Sequence, residues 1–204
     1  MMMDEWLDFF KRNTDKKLFS LPDLIVLTGE KRSTTSVQLS RLVKSGILDR
    51  PVRGWYANPF MPPNGEEIAM VIRHPSYLSL EYALSRSGIL SQHVFTYTLV
   101  TTKLPYTYKS EGDVFEYHQI KRSLFWGYKR EGQILVAEPE KALLDLIHIK
   151  TARNGIKGLA RIDALLDDIY VEELDSDRLL EYAERFSPMI SSFILNILDH
   201  RSNS

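Results

Sequence analysis

Residues 31–57 read KRSTTSVQLSRLVKSGILDRPVRGWYA, with six Lys or Arg and a single acid, Asp49. At 3.6 residues per turn the first half of this stretch is a helix with two unlike faces. Thr35, Leu39, Leu42 and Val43 share one side, with Ile47 just beyond, and predict packing against neighbouring helices. The other side holds Ser33, Thr34, Val37, Gln38, Ser40, Arg41 and Lys44, and no acid. A merely solvated helix face usually mixes Glu with Lys, because such pairs at i,i+4 add stability. An acid-free face suits a DNA major groove instead. Gln reads adenine through two bonds, Arg reads guanine or holds phosphate, and Val meets a thymine methyl. Hydroxyls and free N–H groups at the helix start suit phosphate.

Gly46 suits the left-handed residue that ends this helix. Beyond it, ILDR-PVRG-WYA predicts two short strands around a turn containing Pro51 and Gly54, with Arg50 and Arg53 at the tip. Upstream, Trp6, Leu7, Phe9 and Phe10 mark a first helix, and KLFS (17–20) a short strand. Ser20 caps a second helix, with Pro22 in its first turn, Leu21, Leu24, Ile25 and Leu27 facing inward, and Gly29 as its stop. Three helices, the third polar and basic, then a basic hairpin predict a winged helix-turn-helix over residues 1–60. Gln38 and Arg41 are the expected base readers. Lys31, Arg32, Lys44, Arg50 and Arg53 are the expected phosphate contacts, with Ser33, Thr34 and Val37 beside them. The same arrangement also occurs as a plain structural unit or protein-docking module. Trp55 and Tyr56 fit either wing-to-core packing, the commoner use, or base stacking.

The rest of the composition is ordinary for a globular chain of 204 residues: 44% hydrophobic and 26% charged. The net charge of −1 hides an asymmetry, +3 over 1–60, +3 over 61–161 and −7 over 162–204, which hints at an anionic partner for the first part. No apolar run reaches about 18 residues, so no membrane span is expected. The first residues, MMMDEWLDFFKR, carry acids where a signal peptide would be basic. The absence of cysteine excludes disulfides, thiolate metal sites and Cys nucleophiles. A cytoplasmic protein is the expectation.

The segment 58–65, NPFMPPNG, holds three prolines and a glycine and predicts a boundary between the first domain and a second over 61–204. EEIAMVIR (66–73) and SYLSLEYALSRSGIL (76–90) read as helices. VFTYTLVTT, YTYK, VFEYHQI, LFWGY and QILVAE then read as short strands, with hairpin turns at 111–113 and 130–132. AEPEKALLDLIHIK starts a helix at Pro139 with Leu143, Leu146 and Ile147 inward, and two or three more helices follow. The expected class is α+β, a winged helix-turn-helix followed by a mixed α/β domain with a mainly antiparallel sheet. Lys141 and Asp145 form an i,i+4 pair in the less favourable order, and Glu138 and Glu140 suit the positive helix end. Capping and surface pairing are the commoner use of such residues, with a functional role as the alternative. A second basic surface is conceivable around NGIKG from Lys150, Arg153, Lys157 and Arg161, with Lys121, Arg122, Lys129 and Arg130; solvated loops fit equally well. The acids of 161–186 read as a solvated face behind the stripe Ile162, Leu165, Leu166, Ile169.

PSYLSLEYALSRSGI (75–89), LFWGY (124–128) and ILVAEPEKALLDLIH (134–148) resemble the C-terminal blocks of the AbiE-type abortive-infection antitoxins of bacteria and archaea, the AbiEi family. The likeness covers essentially the whole chain, and the last block is its most specific part. It implies a winged-helix domain that represses its own operon and a C-terminal domain that counteracts a cognate nucleotidyltransferase-like toxin encoded nearby. In that family neutralisation does not call for a stable toxin–antitoxin complex. Related stand-alone regulators share the blocks without a toxin neighbour.

Enzyme motifs are missing: no HExxH, G-x-S-x-G, P-loop or G-x-G-x-x-G occurs, and the five histidines stand at no metal-binding spacing. No enzyme activity, cofactor or metal is expected. The expected partners are double-stranded DNA at the chain's own promoter, as inverted repeats, and the toxin; no membrane partner is expected. The alternative is a ligand-sensing winged-helix transcription factor.

Overall fold

The computed structural model describes residues 1–110, 112–154, 162 and 165–202. It divides into two units, Met1–Ile72 and Arg73–Ser204. In the first, helices α1 (Met3–Arg12), α2 (Leu21–Thr28) and α3 (Arg32–Lys44) are joined by β1 (Leu18–Ser20) and followed by β2 (Trp55–Ala57) and α4 (Gly65–Ile72). Local chemistry sets the helix ends. Acids lead α1 and bases close it, as the helix dipole favours. The Ser20 hydroxyl accepts from the Asp23 amide while the Asp23 carboxylate accepts from the Ser20 amide, a reciprocal cap on α2. Gly29, at φ +70°, ends that helix.

Trp6, Phe10, Phe19, Leu24, Leu39, Leu42, Leu48 and Tyr56 form the buried core of this unit. Thr35 joins it because its hydroxyl donates to the Lys31 carbonyl at 3.1 Å. β1 pairs antiparallel with β2, Phe19 opposite Tyr56. The expected hairpin is therefore incomplete. WYA is a strand, but it pairs with 18–20, and 47–50 contributes one ladder-like bond, Ala57 N–H to the Asp49 carbonyl at 2.9 Å. Pro51 has no N–H to give, and the tight turn Val52–Trp55 starts immediately after it.

The proline-rich segment is not a free linker. Buried Asn58 sends its side-chain amide toward the carbonyls of Phe10, Asn13 and Lys16, at 3.1, 3.0 and 3.2 Å. Lys17 pairs with Glu67 on α4 at 2.9 Å. These bonds fasten α4 to the first unit, so the division falls after residue 72 rather than at 60.

The second unit carries β3 (Ser76–Leu78), α5 (Leu80–Arg86), β4 (Tyr97–Thr101), β5 (Tyr106–Lys109), β6 (Val114–Gln119), β7 (Tyr128–Glu131), β8 (Ile134–Ala137), α6 (Pro139–Asn154), α7 (Ser176–Glu184) and α8 (Pro188–Ser202). Its sheet runs β5-β6-β4-β3-β8-β7, with three antiparallel and two parallel pairings. The protein is thus α+β with a mixed sheet. Two segments depart from expectation. Residues 76–78 form the buried inner strand β3 rather than the start of a helix, and α5 begins only at Leu80. Three residues buried on both faces have no alternation to reveal them. LFWGY enters the sheet only at Tyr128; before it lies a 3-10 turn, Arg122–Leu124.

Helix α6 has no wet side over residues 140–147, all of them buried. It packs against α5, β8, α7 and α8. A helix enclosed in this way must bury whatever polar residues its sequence carries.

Candidate functional site

The outward side of α3 is built by subtraction. Thr35, Leu39 and Leu42 are spent on the core, which leaves Arg32, Ser33, Thr34, Val37, Ser40, Arg41 and Lys44 in solvent. Val37 is 51% exposed, as its outward position on α3 requires. Lys31 occupies the N-cap without a side-chain cap bond, so the leading amides of α3 are free of that competitor. Arg50 and Arg53 are exposed on the turn that precedes β2, Arg50 lying 6.0 Å over the Tyr56 ring. Tyr56 belongs to the core and Trp55 is half-buried. Among the described residues, none of Lys31, Arg32, Arg41, Lys44, Arg50 and Arg53 forms an ion pair. Six unneutralised cations on one short stretch form a local positive field.

Gln38 stands apart from this set. It lies on the flank of α3, half-buried, and its Oε1 accepts a hydrogen bond from the indole N–H of Trp6 at 2.9 Å. The expected two-point reading of adenine needs that oxygen.

The expected second basic surface lies largely outside the described residues. Lys150 pairs with Glu81 at 2.9 Å and Lys129 with Glu138 at 2.8 Å. The side chain of Arg153, and all of Lys157 and Arg161, lie outside the described residues. Lys121, Arg122 and Arg130 are exposed.

A polar network that the sequence reading assigned to the surface lies instead in the centre of the second unit. Lys141 and Asp145 are both fully buried. Asp145 accepts from the Lys141 ammonium, from the Tyr77 hydroxyl at 2.8 Å and from the Ser79 hydroxyl at 2.9 Å. The Lys141 ammonium also lies 2.9 Å from the Tyr77 oxygen and 5.0–5.3 Å from the ring centres of Phe186, Trp126 and Tyr77. Burial pushes the ammonium below its ordinary range and the carboxyl above its own, while each charge opposes the other's shift. Burial and the Asp145 charge raise the Tyr77 phenol well above its usual value. Three donors on one carboxylate are what a buried acid needs. Tyr77 and Ser79, two apart at a strand end, share one side of the backbone and so reach the same acid.

Gly127 makes room for this lysine. Its φ is +72°, and a Cβ there would stand 2.8 Å from Lys141 Cγ. Gly127→Ala is expected to cost about 1–2 kcal/mol for the left-handed backbone and about 1–3 kcal/mol more for overpacking. Gly132→Ala, at φ +60° with nothing within 4 Å, incurs only the backbone cost. Denaturant unfolding of the two variants separates the contributions.

Glu138 ties α6 to its surroundings through Lys129 and the Tyr182 hydroxyl, the latter at 2.6 Å. Burial pushes its carboxyl up, but these two partners outweigh burial and hold it below the ordinary glutamate value of 4.5. The bond to Glu138, with burial, pushes the Tyr182 phenol up to about 12. A carboxyl depressed on folding stabilises fully above its unfolded value, and the benefit is lost as pH falls through the folded value. Glu138→Gln is therefore expected to flatten the stability–pH curve below about pH 4.5 and to lower the plateau above it, as read by unfolding at stepped pH.

A cavity of about 450 Å³ opens beside α5 and α6, lined by residues including Glu81, Thr96, Glu116, His118 and Lys150. Leu80, in its wall, has φ +58°, a strained conformation for leucine. His118 Nε2 lies 3.7 Å from Glu116. Among the described residues no group of three His, Cys, Asp or Glu is placed to hold a metal ion, and no helix is long and apolar enough to cross a membrane.

A scan against protein-family models finds no match, and neither does a search of curated proteins.

Proposed function

We propose that the chain is a DNA-binding transcriptional repressor and the antitoxin of a type IV toxin–antitoxin system acting in abortive infection and phage defence. The observation that carries the DNA reading is the outward side of α3, polar and cationic, free of acids and, among the described residues, of ion pairs. The order α1–β1–α2–α3–β2, with β1 paired to β2, supports a winged helix-turn-helix reading in which the wing is reduced to a turn. In this reading α3 enters the major groove. Arg41 reads a base edge, and Val37 meets a thymine methyl. Lys31, Arg32, Ser33 and Thr34 hold phosphate at the helix start, with Lys44 further along the helix. Arg50 and Arg53 reach the backbone or a narrow minor groove. The target is the chain's own promoter, read as inverted half-sites about one helical turn, roughly 34–36 Å, apart. Arg41→Ala is expected to relax preference at one base pair by about 1–3 kcal/mol in competition binding; unchanged affinity and preference would remove Arg41 from the interface.

The antitoxin half rests on the resemblance carried by 75–89, 124–128 and 134–148. Tyr77, Ser79, Gly127, Lys141 and Asp145 from those blocks meet in one buried network. This suits a role in fixing the domain's shape rather than in catalysis. The functional partner is a nucleotidyltransferase-like toxin, opposed without a stable complex. Co-expression with the adjacent toxin tests this: the full chain restores growth, and a chain lacking 73–204 does not. Failure of the full chain to restore growth overturns the antitoxin half.

A second reading, a ligand-sensing transcription factor without a toxin, is favoured by the cavity beside α5 and α6. A small metabolite that alters promoter affinity, in a genome without a neighbouring toxin, would select it.

A further inference from the structure

We propose that the cavity beside α5 and α6 binds a small molecule carrying a primary ammonium group on an apolar body, with Glu116 holding the ammonium. This goes beyond the repressor and antitoxin reading and does not rest on it; it supplies the ligand class that a ligand-sensing reading leaves open. The cavity measures about 450 Å³, within the range of roughly 300–1,000 Å³ in which small-molecule sites fall. Its two sides are unlike. Leu80, Leu146 and Ile149 from the helices, with Val94, supply hydrocarbon. The sheet supplies Thr98 from β4 and Glu116 and His118 from β6. The strand pattern explains this floor. Successive strand residues face opposite sides, so buried Phe115 and Tyr117 occupy one face of β6, and Glu116 and His118 the other. Thr98 stands beside Glu116 in the β4–β6 register. α5 packs on β4 and α6 on β8, whereas β6 lies outside β4 in the sheet order. A sheet face beneath helices is ordinarily apolar, and a dry cavity is apolar too. A carboxylate and an imidazole on this floor call for a polar occupant.

Charge decides the class of that occupant. Glu81, on the helical side, is compensated by Lys150 at 2.9 Å. Glu116 is not compensated in this way. Among the described residues no Lys or Arg pairs with it, and His118 Nε2 stands 3.7 Å away, too far for a hydrogen bond. The neighbouring Thr98 hydroxyl donates its proton to the Ser79 carbonyl at 2.7 Å and so has none for the carboxylate. An ammonium, with three donors and a compact charge, matches a carboxylate with open acceptors. The aliphatic wall takes the hydrocarbon to which that ammonium is attached. A ligand bearing only a carboxylate would meet Glu116 as a like charge.

Isothermal titration of the full-length protein with three matched probes tests this. Phenethylamine, L-phenylalanine and 3-phenylpropionate share a phenylethyl body and carry an ammonium, both charges and a carboxylate respectively. At least one ammonium-bearing probe is expected to bind about tenfold or more tighter than 3-phenylpropionate. That is the low end for a charged hydrogen bond, because the Glu116 side chain is 42% exposed. Preference for phenethylamine selects a free amine as the ligand, and preference for L-phenylalanine an amino acid whose carboxylate meets Lys150. Glu116→Gln, with folding checked by an unchanged thermal transition, is expected to remove the preference for the ammonium. Val94→Trp, checked in the same way, fills the cavity from its wall and is expected to abolish binding of every probe. Binding of 3-phenylpropionate as tight as that of the amines overturns the inference. So does an affinity untouched by Glu116→Gln, binding that survives Val94→Trp, or failure of both ammonium-bearing probes to bind at millimolar concentration. None of these results bears on promoter binding, so the site and the DNA reading fail separately.

Discussion

Replacing Asp145 by alanine is expected to destabilise the second unit by about 3–5 kcal/mol, the usual consequence of leaving one member of a buried ion pair alone. Lys141 would then sit fully buried with only the Tyr77 oxygen as polar partner, and Tyr77 and Ser79 would lose the acceptor they share. Lys141→Met is expected to cost a similar amount, because the Asp145 charge would remain in the interior. The double variant Lys141→Met, Asp145→Leu removes both charges and is expected to recover part of the loss, since apolar groups of like volume often replace such pairs without penalty, while the Tyr77 and Ser79 hydroxyls still lack their acceptor. In thermal unfolding the single variants should fall by on the order of 10 °C, at about 2–4 °C per kcal/mol for a chain of this length. Single variants within 1 kcal/mol of the unmodified protein would place the pair in water. A double variant as weak as the singles would mean that the hydrogen bonds of Tyr77 and Ser79 and the aromatic box around Lys141, not the charge pairing, carry the stability.

The second large effect is electrostatic. Lys31, Arg32 and Lys44 are exposed and form no ion pair among the described residues, so each is available to a phosphate. Each phosphate contact releases about 0.9 of a counterion. At about 0.1 M salt that is worth roughly eightfold in affinity per contact, so alanine at all three positions should weaken promoter binding by on the order of 500-fold. The slope of log affinity against log salt should flatten by up to about three. Titration of a promoter duplex at stepped salt reads both quantities. Because all three side chains point into solvent, the folded state should be preserved, and an unchanged slope would remove α3 from the DNA surface.

The helices of the first unit are legible in the sequence because their information is local: a capping serine, a left-handed glycine, and leucines repeating on one face. The wing is less so. Its strand WYA is visible, but its partner is β1, some 35 residues away, and the nearer segment gives it only the Asp49 bond and the Val52–Trp55 bridge. Gln38 falls on the outward side of a helical projection, yet a tryptophan from another helix claims its oxygen, a choice that no periodicity encodes. Lys141 and Asp145 mislead for a related reason. The i,i+4 rule assumes a wet face, and α6 has none over 140–147. A signal was present all the same: Ala142, Leu143, Leu144, Leu146 and Ile147 leave no side of that helix polar, so a charged pair among them has nowhere to go but inward. Lys150 read as a free cation because Glu81 is far off in sequence, although it stands 2.9 Å away in the fold.

In the proposed complex α3 lies in a major groove. Methylation interference on the chain's own promoter measures this directly, because guanine N7 lies in the major groove and adenine N3 in the minor groove. N7 methylation within each half-site is expected to block binding of the full-length protein, and Arg41→Ala to relieve the block at one guanine. Binding that tolerates N7 methylation at every position and is stopped only by adenine N3 methylation would contradict it.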